Sequence, residues 1–108
     1  MFKTLAAALG ILLLTSTAGE ASVRNFFAPV VDGSRIDNCL SGKADCGKPA
    51  ADAFCKAQGF TEALIFQRET GVSTKRLHSG ELCEGDSCTA FKQIKCFSPG
   101  DTAAAGQS

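Results

Sequence analysis

Tryptophan and tyrosine are both absent from this sequence of 108 residues, although it contains eight phenylalanines. Phenylalanine is mainly a core residue, whereas tryptophan and tyrosine carry the polar group that interfaces and stacking platforms favour. The composition therefore excludes a sugar-binding face built from stacked tryptophan or tyrosine rings. A lectin that uses polar groups alone stays open.

An excess of either charge is also absent, because 11 lysines and arginines balance 11 aspartates and glutamates without a run of like charge. Proteins that bind nucleic acid or an anionic membrane surface need a basic excess. We therefore expect neither nucleic acid nor an anionic membrane surface among the partners of this chain.

Long apolar runs are missing as well. The longest run covers residues 5–14, and because a bilayer-spanning helix needs about 20 apolar residues we expect no membrane insertion. Lys3 precedes this run and small residues follow it up to Ala21, which is the layout of a secretory signal peptide. We predict cleavage after Ala21, with cleavage after Ala18 as the alternative, and a secreted or periplasmic product.

This layout divides the chain into three segments. We predict a signal peptide at residues 1–21, a disulfide-stabilised domain at residues 22–97 and a disordered tail at residues 98–108, which contain no large apolar side chain. A domain of about 75 residues buries only about 60 % of the surface of its unfolded chain, so it is marginally stable without crosslinks.

Six cysteines supply the means of crosslinking. They are Cys39, Cys46, Cys55, Cys83, Cys88 and Cys96. An even number of cysteines in a short exported chain indicates a disulfide framework. Zinc and redox sites favour closely spaced cysteines such as Cys-x2-Cys, which the chain lacks, and His78 is its single histidine. We therefore expect no metal and no cofactor.

The pairing of the six cysteines is open, because six cysteines allow 15 pairings. In one arrangement Cys55 on a helix is joined to Cys96 on a strand, while the Cys39–Cys46 and Cys83–Cys88 pairs close local loops. In the other arrangement the two N-terminal cysteines are joined to the later pair.

Local signals place one helix at residues 49–58. Pro49 suits the first helical turn, Gly59 suits a left-handed C-terminal cap, and Ala51, Phe54 and Cys55 share one face. Strand composition follows at residues 60–68, 72–78 and 90–97. We predict an α+β fold, a small disulfide-rich domain with one short helix packed on a three-stranded antiparallel sheet.

Two further expectations concern the strands. Residues 26–31 are apolar but contain Pro29, so any strand there lies at a sheet edge. In the last strand, alternation places Ile94 and Cys96 on one side and Phe91 on the other, together with Gln93, Lys95 and Phe97.

No catalytic constellation emerges from the sequence. His78 is followed by Ser79, but neighbours on a strand point to opposite faces, so we assign no catalytic residue. The acidic residues Asp32, Asp37, Asp45, Asp52, Glu81, Glu84 and Asp86 show no spacing that selects a pair. The acidic loop at residues 82–89 and the basic Lys75-Arg76 dipeptide are candidates for contact with a partner.

The segment Cys46-Gly47-Lys48-Pro49-Ala50-Ala51-Asp52-Ala53-Phe54-Cys55, with Gly59-Phe60 and the later cysteines, resembles an uncharacterised family of small exported cysteine-rich proteins with a CGxPAADxFC motif. The resemblance extends from Cys39 to Cys96. It implies the limits of the domain and a disulfide framework, and it implies no activity and no site residue.

A stable frame without a reactive cluster favours an exported, non-enzymatic, disulfide-stabilised binding module whose ligand is unknown, either a protein or an envelope component. One alternative is an inhibitor of a protease or cell-wall hydrolase that acts through the loop at residues 82–89. The other alternative is a small hydrolase that uses acidic residues.

Overall fold

The computed structural model describes residues 21–100, which hold one helix and nine strands. The helix is α1 (Lys48–Ala57). The strands are β1 (Ser22–Phe27), β2 (Val30–Val31), β3 (Ser34–Ile36), β4 (Cys39–Ser41), β5 (Ala44–Cys46), β6 (Glu62–Thr70), β7 (Thr74–Lys75), β8 (Leu82–Cys83) and β9 (Thr89–Ser98). The predicted signal peptide (residues 1–21) lies outside the described residues except for Ala21, and so does the predicted tail (residues 98–108) from residue 101 onward. Ser98, the first residue of that predicted tail, is the last residue of β9.

The helix forms close to where local signals predict it. Gly47 precedes it with a φ of 78°, a backbone conformation that a glycine adopts without steric cost, and Pro49 lies in the first turn. Beyond the C-terminal end Gly59 has a φ of 93°, as the predicted cap requires. Phe54 and Cys55 are buried on the inner face of the helix.

A three-stranded sheet with the order β1-β9-β6 receives the helix on one face. β6 and β9 are antiparallel, from the Glu62–Phe97 pair to the Thr70–Thr89 pair. The core between helix and sheet consists mainly of the buried side chains of Ala50, Ala51, Phe54, Cys55, Ala63, Phe91, Ile94 and Cys96. The Phe26 ring of β1 meets the Phe54 ring edge-on, with the ring centroids 5.0 Å apart.

The predicted α+β, disulfide-rich class is therefore confirmed, but the predicted composition of the sheet is only partly right. The segment at residues 72–78 was expected as its third strand, and β1 occupies that place instead. Only Thr74–Lys75 of that segment is a strand, and it belongs to a four-stranded sheet with the order β2-β3-β7-β8. β7 is parallel to β3 and antiparallel to β8.

A buried carboxylate explains why β7 joins this second sheet. Asp37, which is 3 % exposed, accepts hydrogen bonds from the Thr74 hydroxyl and from the Cys39 backbone N–H, the latter at 2.8 Å. Its Oδ1 lies 3.6 Å from Nε of Arg76. A buried carboxylate is tolerated only when it is hydrogen-bonded or paired, and this requirement holds Thr74 and Arg76 beside Asp37.

Two irregularities in the β6–β9 pairing change the side-chain pattern. Leu64 is an extra residue in β6, and Lys92 is an extra residue in β9. A bulge interrupts strict alternation along its strand. As a result Phe91 is fully buried together with Ile94 and Cys96, although alternation predicted that Phe91 would lie on the opposite face.

The six cysteines form three disulfides, Cys39–Cys46, Cys55–Cys96 and Cys83–Cys88. These are the pairs of the first arrangement that the sequence allows. Cys55–Cys96 joins α1 to β9 through the core, and Cys39–Cys46 joins the paired strands β4 and β5. Cys83–Cys88 closes a short loop between β8 and β9.

Candidate binding surface

The face of the three-stranded sheet that points away from α1 is here named the outer sheet face. Ile94 and Cys96 point into the core, so Gln93, Lys95 and Phe97 point outward by alternation. The register places Ile65 opposite Lys95 and Gln67 opposite Gln93. The outer sheet face comprises Val23, Asn25, Phe27, Ile65, Gln67, Gln93, Lys95 and Phe97.

One hydrogen bond places β1 on this face. Nε2 of Gln93 donates to Oδ1 of Asn25 at 2.9 Å, so the two amides lie on the same side of the sheet. Val23 and Phe27, two residues before and after Asn25, share its side because side chains alternate along a strand.

Apolar side chains on the outer sheet face are unusually accessible. Phe27 is 71 % exposed, Ile65 is 53 % exposed and Val23 is 51 % exposed. Leu64, the extra residue beside Ile65, is 48 % exposed. Single exposed apolar residues are common on proteins, whereas several on one face indicate an interaction surface.

The polar groups on the outer sheet face are mostly amides. Asn25, Gln93 and Gln67 form a row that crosses the three strands. Lys95 is the cation of the face. Glu62 is opposite Phe97 in the register, but its carboxylate turns to Nζ of Lys48 at 3.3 Å. The residues that define the outer sheet face therefore offer apolar side chains, amides and the ammonium group of Lys95.

The edge of β6 is partly covered by side chains of α1. Oδ1 of Asp52 accepts a hydrogen bond from the Ala63 N–H at 2.8 Å, and Nζ of Lys48 donates to the Ala63 carbonyl at 3.0 Å. Lys48 and Asp52 also bond to each other at 3.0 Å. The hydrogen bond to Asp52 is the largest of the effects that raise the pKa of Lys48 above its ordinary value of 10.5.

The loop predicted to contact a partner is exposed. The four residues between Cys83 and Cys88 are all exposed and include Glu84 and Asp86, and Leu82 just before them is 61 % exposed. The Cys88 N–H donates to the Gly85 carbonyl at 3.4 Å, which makes the loop a tight turn. The disulfide between Cys83 and Cys88 holds that turn closed.

The basic dipeptide predicted as a contact site is paired with acidic groups. Nζ of Lys75 lies 3.8 Å from Oδ2 of Asp32. Arg76 lies between Asp37 and Glu81, with its nitrogens 3.6 and 3.7 Å from their carboxylate oxygens. The pairing with Asp37 directs Arg76 inward, whereas the pair of Lys75 with Asp32 lies at the surface.

Three of the concavities among residues 21–100 are lined by acidic candidates. One of about 230 Å³ is lined by His78 and Asp32, one of about 320 Å³ is lined by Glu84, and one of about 160 Å³ is lined by Asp37. Each contains a single carboxylate, whereas glycoside hydrolysis uses two carboxylates that flank one bond. None of these three concavities therefore brings two of the acidic candidates together, and Asp37 is buried, with Arg76 between it and Glu81.

The only histidine of the sequence is exposed. The backbone N–H of His78 donates to the Leu40 carbonyl at 3.1 Å, and the Ser79 hydroxyl donates to Oε1 of Glu81 at 3.1 Å. Among residues 21–100, no hydrogen bond joins the ring of His78 to a hydroxyl group. Ser79 is engaged with Glu81 instead.

Across residues 21–100, no three side chains of histidine, cysteine, aspartate or glutamate lie close enough together to hold a metal ion. In the same part of the chain no helix has the length and apolar composition needed to cross a bilayer.

In comparisons with known proteins, no family model, curated protein or solved structure matches this chain.

The sequence did not single out the outer sheet face. The alternation of Gln93, Lys95 and Phe97 is a local signal that predicted their common side. The positions of Ile65 and of β1 depend on the register of β6 and on strand order, which the sequence pattern does not contain.

Proposed function

We propose that this chain is an exported, non-enzymatic, disulfide-stabilised module that binds a protein partner through the outer sheet face. The observation that carries the proposal is the exposure of Phe27, Ile65 and Val23 together on one face of the sheet. The opposite face of that sheet is anchored to α1 by the Cys55–Cys96 disulfide.

The chemistry of the face suits a protein surface. A large exposed aromatic ring such as Phe27 is the kind of side chain that becomes an energetic anchor when a partner buries it. The amide groups of Asn25 and Gln67 can donate and accept hydrogen bonds at the rim of such a contact. Lys95 favours a carboxylate on the partner over a second cation.

The disulfides support both export and binding. Disulfides form and persist in oxidising compartments, which agrees with the predicted signal peptide and with a secreted or periplasmic location. A crosslinked scaffold holds the face in its binding conformation before the partner arrives, so that less conformational entropy is lost on association.

A capture experiment with matched variants tests the proposal. The oxidised protein is immobilised and exposed to an envelope extract and to culture medium, and retained proteins are identified by mass spectrometry. The test variant carries Phe27→Ser and Ile65→Ser. The control variant carries Val30→Ser and Leu82→Ser, which remove apolar side chains of similar exposure (52 % and 61 %) from the second sheet.

We expect a specific partner to be retained by the wild type and by the control variant and lost by the test variant. Truncation of an anchor residue typically weakens binding by about 2 kcal/mol or more, roughly thirtyfold. Retention by the test variant at wild-type affinity would refute the outer sheet face as the binding site. Circular dichroism and a thiol count show that the variants are folded and oxidised.

The exposed loop favours a second candidate function, inhibition of a protease or cell-wall hydrolase. Its supporting observation is the disulfide-closed turn that presents Glu84 and Asp86 beside the exposed Leu82. Deletion of residues 84–87 should abolish inhibition and leave α1 and its sheet folded. If the control variant with Leu82→Ser lost the partner and the test variant kept it, this second function would replace the first.

The resemblance to exported cysteine-rich proteins with a CGxPAADxFC motif stays a prediction. Its residues run from Cys46, the last residue of β5, into α1, so the motif contributes Cys46 and Cys55 to two disulfides and Phe54 to the core. In this proposal the motif builds the support, and the binding residues lie on the other side of the sheet.

A further inference from the structure

Besides the outer sheet face, the edge of β6 beyond Ala63 is a second candidate interaction surface. β6 is the last strand of the sheet order β1-β9-β6, so one of its two backbone edges faces away from β9. Among residues 21–100, the hydrogen bonds from side chains of α1 to that edge are made at Ala63. The remainder of β6 is long enough to pair with another strand. A free edge of this kind can lead to aggregation, or it can bind a partner by adding a strand to the sheet.

The direction of the backbone groups follows from one hydrogen bond. The Gly71 N–H, at the end of β6, donates to the Cys88 carbonyl at 2.8 Å and thus points toward β9. Backbone groups alternate between the two edges of a strand. Thr70, Arg68 and Phe66 therefore direct their N–H and C=O groups outward, and within the described residues no strand pairs with β6 on that side.

The side chains of the free edge are self-complementary. Gln67 is the last amide of the row that begins at Asn25 and Gln93, and it lies on the edge strand of the sheet. Each amide carries both donor and acceptor groups, so a second Gln67 across the edge extends the row. The guanidinium of Arg68 already lies 5.7 Å from the centre of the Phe66 ring.

We infer that two copies of this chain pair through the open part of β6, antiparallel and about a two-fold axis at Gln67. Gln67 lies opposite Gln67 of the second copy, and Phe66 lies opposite Arg68 of the second copy. The Phe66 and Arg68 residues exchange their outward backbone hydrogen bonds. The product is a continuous six-stranded sheet with a closed two-fold interface.

Four other two-fold axes along β6, at Ile65, Phe66, Arg68 and Glu69, each meet a conflict. An axis at Ile65 or Phe66 extends the pairing onto Ala63, whose outward groups are already bonded to Asp52 and Lys48. An axis at Arg68 places two arginines directly opposite each other, and an axis at Glu69 does the same with two glutamates. Like charges directly opposite each other destabilise a strand pair. An axis at Gln67 avoids both conflicts.

Sedimentation of the oxidised full chain tests whether the dimer exists, and single-cysteine crosslinking tests the register. Gln67 directs its backbone toward β9, so Gln67 and its copy form a non-hydrogen-bonded pair with Cα atoms about 4.5 Å apart, within the range that a disulfide spans. The two Ile65 Cα atoms are then more than about 10 Å apart, beyond disulfide reach. We expect Gln67→Cys to form a crosslinked dimer and Ile65→Cys, at a position that is also exposed, not to do so.

A proline variant provides a measurement of affinity. Arg68→Pro removes one outward N–H from each copy and leaves the bonds to β9 intact, so the dimer should weaken about a hundredfold, roughly tenfold for each lost hydrogen bond. Thermal unfolding verifies that the variant monomer is folded.

Three results would overturn the inference: a monomer at every concentration up to about 1 mM, unchanged dimerisation of Arg68→Pro, or crosslinking through Ile65→Cys instead of Gln67→Cys. A Gln67→Cys dimer with a failed capture experiment would leave the pairing standing and refute only the proposed function. A monomer that captures its partner through the outer sheet face would refute the pairing and leave the proposed function standing.

Discussion

The disulfide between Cys55 and Cys96 should contribute more to stability than either of the other two. It closes the longest loop, with a sequence separation of 41, against 7 for Cys39–Cys46 and 5 for Cys83–Cys88. A crosslink stabilises the folded state mainly by restricting the unfolded chain, and the restriction grows with loop length. The perturbation is the double substitution Cys55→Ala with Cys96→Ala, which leaves no free thiol.

The loop lengths set the expected magnitudes. The chain-entropy relation gives a loss of about 4 kcal/mol for the Cys55–Cys96 crosslink and about 2 kcal/mol for Cys83–Cys88. Both cysteines of the first pair are fully buried, whereas in the second pair only Cys88 is, so the cavities left by alanine add more to the first loss. In a domain of this size the difference of about 2 kcal/mol corresponds to roughly 10 °C in Tm.

Urea unfolding followed by circular dichroism measures the free energy of unfolding of both double variants and of the wild type. The matched control is Cys83→Ala with Cys88→Ala, which opens a loop of four residues outside the core. An equal or greater loss in the control would refute the loop-length argument. A change in m-value would show that the denatured state has altered, as expected when a crosslink is removed.

Two further predictions concern polar groups that the fold keeps bonded. Asp37→Ala should lower the free energy of unfolding by about 3–5 kcal/mol because it leaves Arg76 partly buried without its carboxylate partner. Thr74→Val should lower it by about 1 kcal/mol. Urea unfolding measures both losses, and a larger loss for Thr74→Val would contradict the central role of Asp37. The pKa of Lys48 is raised in the fold, so its stabilising contribution is complete below pH 10.5 and is lost as the pH rises through the raised value. Unfolding at a series of pH values should show this loss in the wild type and a smaller one in Asp52→Asn.

The features that the sequence predicted correctly depend on neighbours along the chain. Pro49 and Gly59 mark the two ends of α1 through their own backbone preferences, and Phe54 and Cys55 share a face because a helix repeats every 3.6 residues. The outward row of Gln93, Lys95 and Phe97 follows in the same way from strand alternation.

The features that the sequence did not predict depend on residues far apart. Residues 72–78 have the composition of a strand, but Thr74 is held by Asp37, so the chain turns away from the first sheet after Gly71. The bulge at Lys92 is defined only by the register with β6, and it alone brings Phe91 into the core.

From its own residues the chain determined its disulfide chemistry, its helix and its α+β class, because cysteine content, caps and periodicity act over a few residues. Tertiary structure alone decided which strands are neighbours, where the bulges lie and which apolar side chains stay in water. Each of those outcomes is a competition between distant segments for the same sheet edge and the same buried volume. The outer sheet face and the free edge of β6 are products of that competition.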